Sequence, residues 1–317
     1  MNYVKLNLKL FASNPNTTSE IPAEVRTYYS DYLIDNAKPN LVHCQFGQKN
    51  TVPKNGGKHI SFRRFMPFSN FSTQLNEGIT PSGGKISVTE VTATLSEYGF
   101  FVTLTDMLTL TSVDNTVLEA TKLLGNHAGS SLDSVTKEIL NGGTNVMYSG
   151  GVSARSSLDA ECKLSVDDIY KASRFLKSQN APKIDGSYVA IIHPDVAYDL
   201  MRNPEWVEVT KYDASTKLFD GEIGKLAGIR FVESAEAKTF ITSTLKVYST
   251  MVLGANAYGV TQLEGGGIKT IIKQLGSSGA SDPLDQRSTV GWKAWHTAER
   301  LVENYMIRIE SASTFSV

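Results

Sequence analysis

The chain opens with apolar and polar residues in alternation: Val4, Leu6, Leu8 and Leu10 are separated by Lys5, Asn7 and Lys9. A period of two places four apolar side chains on one face of an extended strand. No turn signal or second strand follows closely, so two readings stay open: an arm that pairs with another chain, and a frayed terminus. From Ser19 to Ala37 the spacing becomes helical, with Ile21, Val25, Tyr28 or Tyr29, Tyr32 and Leu33 on one side. Pro22 falls in the first turn, where its missing N–H is no loss. Breakers follow at Pro39, Pro53 and Asn55-Gly56-Gly57.

Residues 58–107 read as two long strands, Lys58–Phe68 and Lys85–Met107, the second rich in Val, Thr and Phe. The polar stretch Ser69–Gly84 links them into an extended hairpin. A lone two-stranded ribbon is marginal in water, so this one has to lean on something else. From Asp114 to Asn141 the apolar positions Val117, Leu124, Ala128, Leu132, Val135 and Ile139 predict a long helix. Thr116 and Glu119 offer a capping box, and Gly142-Gly143 a stop able to take positive φ. Such a helix is about 42 Å long at 1.5 Å per residue. A second helix starts at Ser165 as N-cap, with Asp168 three residues on, and stops before Pro182. The pattern then turns mixed α/β. Strands are expected at Tyr188–Ile192, Ile229–Val232, Val247–Leu253 and Ile268–Leu275, with a short helix at Asp195–Met201. Long strands are expected again at Arg287–Ala298 and Leu301–Ala312.

Length and composition fit a folded chain of roughly two globular bodies, since 41% of its 317 residues are hydrophobic and 20% charged. With 31 Lys and Arg against 32 Asp and Glu, the net charge is −1. That balance gives no electrostatic reason to grip a duplex and argues against a sequence-specific nucleic-acid binder, though not against a wall that only encloses nucleic acid. Cys44 and Cys162 belong to no CxxC pair and are expected as reduced thiols. Lys5 and Lys9 interrupt the first residues, which do not read as a signal peptide. No apolar run approaches the roughly 18 residues of a membrane span. The expectation is therefore a protein made and folded in the cytoplasm, in which the sequons at Asn16 and Asn70 are chance.

Candidate chemistry changes the picture little. The chain contains no GxxxxGK[ST], no GxGxxG between strand and helix, no GxSxG and no HExxH. His43, His59, His127, His193 and His296 are scattered without an i, i+4 partner. His193-Pro194-Asp195 ends a predicted strand, where α/β enzymes often place catalytic groups, but a turn-forming role suits it better. Asp167 and Asp168 lie in a helix first turn, where capping and the dipole account for both. No catalytic, cofactor-binding or metal-binding residue is nominated, no cofactor is expected, and the chain is read as a structural protein rather than an enzyme.

Seven segments in order nevertheless resemble one family. They are Thr73–Gly83, Leu95–Asp106, Leu132–Gly143, Ile191–Trp206, Phe219–Ser234, Met251–Val260 and Ile271–Lys293. Together they look like the major capsid proteins of tailed bacteriophages and prophages, in particular the family of the N-four-like podovirus capsid protein. The resemblance implies an α+β chain with the Hong Kong-97-type capsid fold. Its parts would be an N-terminal arm (1–40), an extended E-loop hairpin that reaches over a neighbour (41–107), and a peripheral domain with its spine helix at 114–141 (108–185). An axial α/β domain (186–286) and return strands of the peripheral domain (287–317) would complete it. It also implies pentamers and hexamers in an icosahedral shell, a portal partner, weak non-specific contact with packaged double-stranded DNA, no membrane partner, and a place in the virion after assembly in the host cytoplasm. No long charged helical extension precedes the fold, so a separate scaffolding protein, or none, is expected. Some relatives crosslink an E-loop Lys to a neighbour. Lys54, Lys58 and Lys85 suit that by position only. The rival readings are an encapsulin-like compartment shell, an unrecognised α/β enzyme using His193, and another virion part such as a decoration or tail protein.

Overall fold

The computed structural model describes residues 22–51, 57–65, 68, 77–78, 84–112, 115–207, 222–242, 245–262, 268–277 and 282–316. The strand expected at 4–10, Lys54 and most of the hairpin tip lie outside them. In chain order the elements begin with α1 (Pro22–Ala37), β1 (Gln48–Asn50), β2 (His59–Phe65), β3 (Val88–Thr94), β4 (Ser96–Thr105), α2 (Asp106–Thr111) and α3 (Thr116–Asn141). Next come β5 (Val146–Tyr148), α4 (Val166–Ser178), β6 (Tyr188–Ile192), α5 (Pro194–Met201), β7 (Glu222–Leu226), β8 (Ile229–Glu233) and β9 (Thr239–Thr242). The last are β10 (Leu245–Leu253), β11 (Tyr258–Thr261), β12 (Ile268–Lys273), β13 (Arg287–His296), β14 (Ala298–Arg300) and β15 (Met306–Ser311).

Two bodies share α3. The larger is a mixed seven-stranded sheet in the order β5-β15-β10-β6-β8-β7, with β9 added to β10. All five residues of β6 are buried, because both faces of the sheet are covered. On one face α4 and α5 pack Ile169, Leu176, Val196 and Leu200 against Ala190, Ile192, Phe231 and Ile309. On the other, Ile191, Met251 and Met306 meet Leu140 near the end of α3. The expected cap of α4 is present: Ser165 Oγ accepts from Asp168 N–H at 3.2 Å and Asp168 accepts from Ser165 N–H at 3.2 Å. The smaller body is a three-stranded sheet, β12-β13-β4, whose Leu104, Val290, Trp292 and Ala294 lie on Leu124, Ala128 and Leu132 of α3.

Several details of the expected elements change. The second hairpin strand breaks at Leu95: β3 stays with β2, from His59↔Thr94 to Phe65↔Val88. β4 turns away and pairs with β13 along ten residues, from Ser96↔His296 to Thr105↔Arg287. Leu95 makes the corner, its N–H donating to Lys58 O at 2.8 Å and its side chain packing on the cluster of Ile60, Phe62 and Ala93. The short β2 offers β4 no partner, and a strand's backbone groups must find one. The cap of α3 is Asn115, whose side chain accepts from Leu118 N–H at 3.3 Å, so the capping box on Thr116 and Glu119 does not form. Gly142 keeps a φ of −76°, so no positive φ ends the helix. Arginines end it instead: Arg300 Nη1 donates to Ile139 O at 3.2 Å and Arg308 Nη1 donates to Asn141 O. Cations at these carbonyls also complement the helix dipole. The last two long strands part company, β13 lying on α3 and β15 entering the seven-stranded sheet beside β10.

Helix α1 crosses α3 where glycine removes the obstacle. A Cβ on Gly125 would sit 2.7 Å from Leu33 O, and one on Gly129 2.5 Å from Ala37 O. Alanine is favoured over glycine within a helix by about 1 kcal/mol, whereas forcing atoms into a packed contact costs about 1–3 kcal/mol. Backbone is the obstacle here, so packing should win. Gly129→Ala is expected to lower the unfolding free energy by up to about 2 kcal/mol in denaturant titration; a gain in stability would mean that α1 can ride outward freely.

Candidate assembly site

The described part of the hairpin divides into a seated base and an outer stretch with exposed apolar residues. At the base Ile60 and Phe62 are buried, and the Phe62 ring lies so close to β11 that a Cβ on Gly259 would come within 2.3 Å of it. Arg64 Nη2 donates to the Tyr305 hydroxyl at 3.2 Å, and its guanidinium stands 5.1 Å from that ring's centre. Toward the tip Phe65 is 70% exposed and Ile86 71% exposed, with Phe68 and Val88 also open to solvent. Phe65 and Val88 are cross-strand partners, so these exposures adjoin. A second group follows β4, where Phe101, Met107 and Leu110 are exposed. Beside it the outer face of the three-stranded sheet carries a trough. Gly291 lies in register between Phe101 and Ile271, and Gly99 opposite Lys293. Single exposed apolar residues are ordinary; clusters of them mark surfaces that other molecules cover.

The hairpin springs from a buried polar junction. Asp133 lies on the covered face of α3, fully out of solvent. Its Oδ1 accepts the N–H groups of His43 at 2.7 Å and Cys44 at 3.3 Å, and its Oδ2 lies 2.6 Å from His43 Nδ1. Tyr258 donates its hydroxyl to His43 O. Thr136 Oγ1 is 3.1 Å from Cys44 Sγ and 2.9 Å from His296 Nε2, and His296 Nδ1 is 2.7 Å from Thr261 Oγ1. One chain of polar contacts thus joins the loop 41–47, α3, β11 and β13. Burial pushes the Cys44 thiol and the Tyr258 hydroxyl upward, so both stay protonated.

Residues weighed for chemistry have structural places. His193 is the N-cap of α5, its Nδ1 accepting from Asp195 N–H at 3.1 Å. Its ring centre lies 4.8 Å from that of Tyr248, and burial lowers its pKa. Tyr248 donates to Asp195 Oδ2 at 2.5 Å. Asp168 serves the cap of α4, and Asp167 pairs with Lys171 at 2.6 Å. Among the described residues no group of three or more His, Cys, Asp or Glu is arranged to hold a metal, and no helix is long and apolar enough to cross a membrane. Cys44 and Cys162 are free and buried. Lys58 and Lys85 are exposed at the hairpin.

A family model described as phage capsid protein matches residues 89–306, about two thirds of the chain. The chain belongs to the phage capsid protein family. Solved structures share the fold. The capsid of Ralstonia phage GP4 aligns over 85% of this chain and 87% of its own, with a TM-score of 0.68 at 15% identity. The capsid asymmetric unit of cyanophage Pam1 aligns over 88% and 92%, with a TM-score of 0.65 at 12% identity. The virus-like particle from Pyrococcus furiosus aligns over 90% and 100%, with a TM-score of 0.53 at 12% identity. No curated protein matches in sequence. The capsid fold expected from the resemblance is therefore the fold found, and the chain is a major capsid protein.

What sequence reading of this capsid protein missed is the junction. Little in the pattern announces it: at about 100° per residue, Asp133 falls well away from the stripe of Leu124, Ala128, Leu132 and Val135, on what reads as the exposed side of the long helix. Removing that carboxylate would strand two backbone N–H groups and an imidazole out of water. Asp133→Ala is expected to cost about 3 kcal/mol or more. Asp133→Asn, which keeps an acceptor for the N–H groups, should cost clearly less. Equal losses in denaturant titration would show that the carboxylate's contacts do not organise the junction.

Proposed function

We propose that copies of this capsid protein associate as pentamers and hexamers and close into an icosahedral shell around double-stranded DNA. The observation that carries this reading is the seated hairpin with exposed apolar residues beyond its base. A base held to the body by Phe62 and Arg64, with Phe65, Phe68, Ile86 and Val88 beyond it left in solvent, suits a lever whose end is buried by another copy. Specific interfaces bury on the order of 1,000 Å² or more, and a subunit that makes several can close a shell with modest contacts. The near-neutral chain would let the inner wall hold DNA without gripping it.

In this reading residues 1–40 form an arm, 41–107 the E-loop hairpin, and 108–185 the peripheral domain built on α3. Residues 186–286 form the axial domain, which β15 joins through β10 while β13 stays with α3. A portal, and a separate scaffolding protein if one is used, would be the other partners. Assembly would take place in the host cytoplasm before the protein becomes part of the virion. The protein works through surfaces rather than catalysis: His193 has a capping task that accounts for its position. The trough beside Phe101 and the Lys side chains of the hairpin are candidates for contact with neighbours, with no crosslink assigned.

Negative-stain microscopy of the purified protein tests the reading directly, with shells, rings or capsomers as the expected outcome and a monomer under every assembly condition as the contrary one. Surface substitutions away from special features change stability by about 0.5 kcal/mol or less. Phe65→Glu with Ile86→Glu should therefore leave unfolding nearly unchanged while abolishing assembly in sedimentation; shells of normal yield would remove the tip from the interface. His193→Ala should assemble as the parent does, and loss of assembly without loss of fold would reopen a role for that residue.

A further inference from the structure

At the hairpin root two imidazoles stand close to one carboxylate in a space closed to water. Asp133 and His296 are 0% exposed and His43 is 2% exposed. We propose that this cluster is a proton-operated latch, which holds the hairpin root to α3 while His296 is neutral and lets it go when His296 takes up a proton. The proposal concerns the subunit itself and does not depend on the assembly reading.

The hydrogen bonds carry it. A neutral imidazole has one donor and one acceptor, and an imidazolium has two donors. Thr136 Oγ1 at 2.9 Å and Thr261 Oγ1 at 2.7 Å can serve a neutral ring with one hydroxyl donating and the other accepting. A charged ring obliges both hydroxyls to accept. The Thr261 proton is then left with Thr297 O at 3.4 Å, the margin of hydrogen bonding, and the Thr136 proton with Leu132 O at 3.4 Å or with Cys44 Sγ at 3.1 Å, a weak acceptor. The arrangement therefore favours the neutral ring.

The groups that face this site come from every side. The long helix α3 supplies Asp133, the loop 41–47 supplies His43 and Cys44, β11 supplies Tyr258, and Lys49 of β1 acts on Cys44. Asp133 favours the charged ring, but desolvation outweighs it and His296 is pushed down to about 4. A released histidine titrates near 6.5. Above that pH neither form takes the proton and the latch is closed. As pH falls from about 6.5 toward about 4, the released form binds a proton that the closed form refuses, and the closed form loses ground on the order of 100-fold. Opening there frees the loop that leads into the hairpin, while the seven-stranded sheet has no part in the cluster.

The two thiols make the test. Cys44 lies in the junction, and Cys162 is buried in a separate cluster with Leu158 and Val247. The full chain is treated with 4,4′-dithiodipyridine, which modifies thiols in acid, between pH 7 and pH 4, and each site is quantified by peptide mass. The Cys44 to Cys162 ratio cancels the loss of thiolate that both share. It should rise on the order of 100-fold as pH falls across this window, and it should stay flat in His296→Gln. A ratio that stays constant in the parent protein, because both thiols open together or neither does, overturns the latch. So does an equal rise in His296→Gln. Should that variant fail to fold, the parent's ratio alone decides.

Discussion

A carboxylate on the buried side of a long helix sets the terms for what surrounds it. Asp133 cannot be kept from water without partners, because an unpaired buried charge costs several kcal/mol. Its partners are backbone N–H groups of the loop 41–47 and the ring of His43. Satisfying them presses that loop onto α3 and so fixes where the chain enters β1. β1 runs parallel to β11, and the hairpin base then settles over Gly259. The direction in which the hairpin leaves the body is thus set first by polar contacts in a dry place, and apolar packing follows.

The same helix serves as a beam between two cores. It gives Leu124, Ala128 and Leu132 to the three-stranded sheet, while Leu140 near its end reaches the seven-stranded sheet. Arg300 and Arg308 hold its last carbonyls, and Arg308 also lies 2.9 Å from the buried Glu310, which Arg155 grips with two hydrogen bonds of 2.6 Å. The C-terminal end of the beam is therefore tied to strands from the far end of the chain. A shift of one core relative to the other has to bend α3 or break those ties.

Much of this architecture could be read from local pattern. The long helix, the capped α4, the buried strand β6 and the hairpin rest on periodicity and on neighbours a few residues apart. The pairing of β4 with β13 was not legible, because its partners are about 200 residues apart and a continuous β-rich run from 85 to 107 gives no sign of a change of partner. Short strands such as β1, β5 and β9 were missed because three or four residues carry too little alternation. In the lower half of α3 the expected apolar stripe includes Val135 and Ile139, yet Asp133, Thr136 and Asn141 are the more deeply buried. Their burial depends on partners that only the folded chain brings near. The candidate surface followed the same rule: a ribbon in need of support was visible, but which of its residues stay uncovered was not.

The long-range pairing of β4 also orders events in time. Until residues 287–296 have left the ribosome, β4 has an open edge and the floor of the trough, Gly291, does not exist. The hairpin base also waits, because Gly259 and Tyr305, on which Phe62 and Arg64 are seated, come late in the chain. Folds that wait for distant partners close slowly and expose apolar surface meanwhile. A truncated or unfinished chain therefore lacks the strand on which its outer trough is built, so the surface at Phe101 is complete only in a finished subunit.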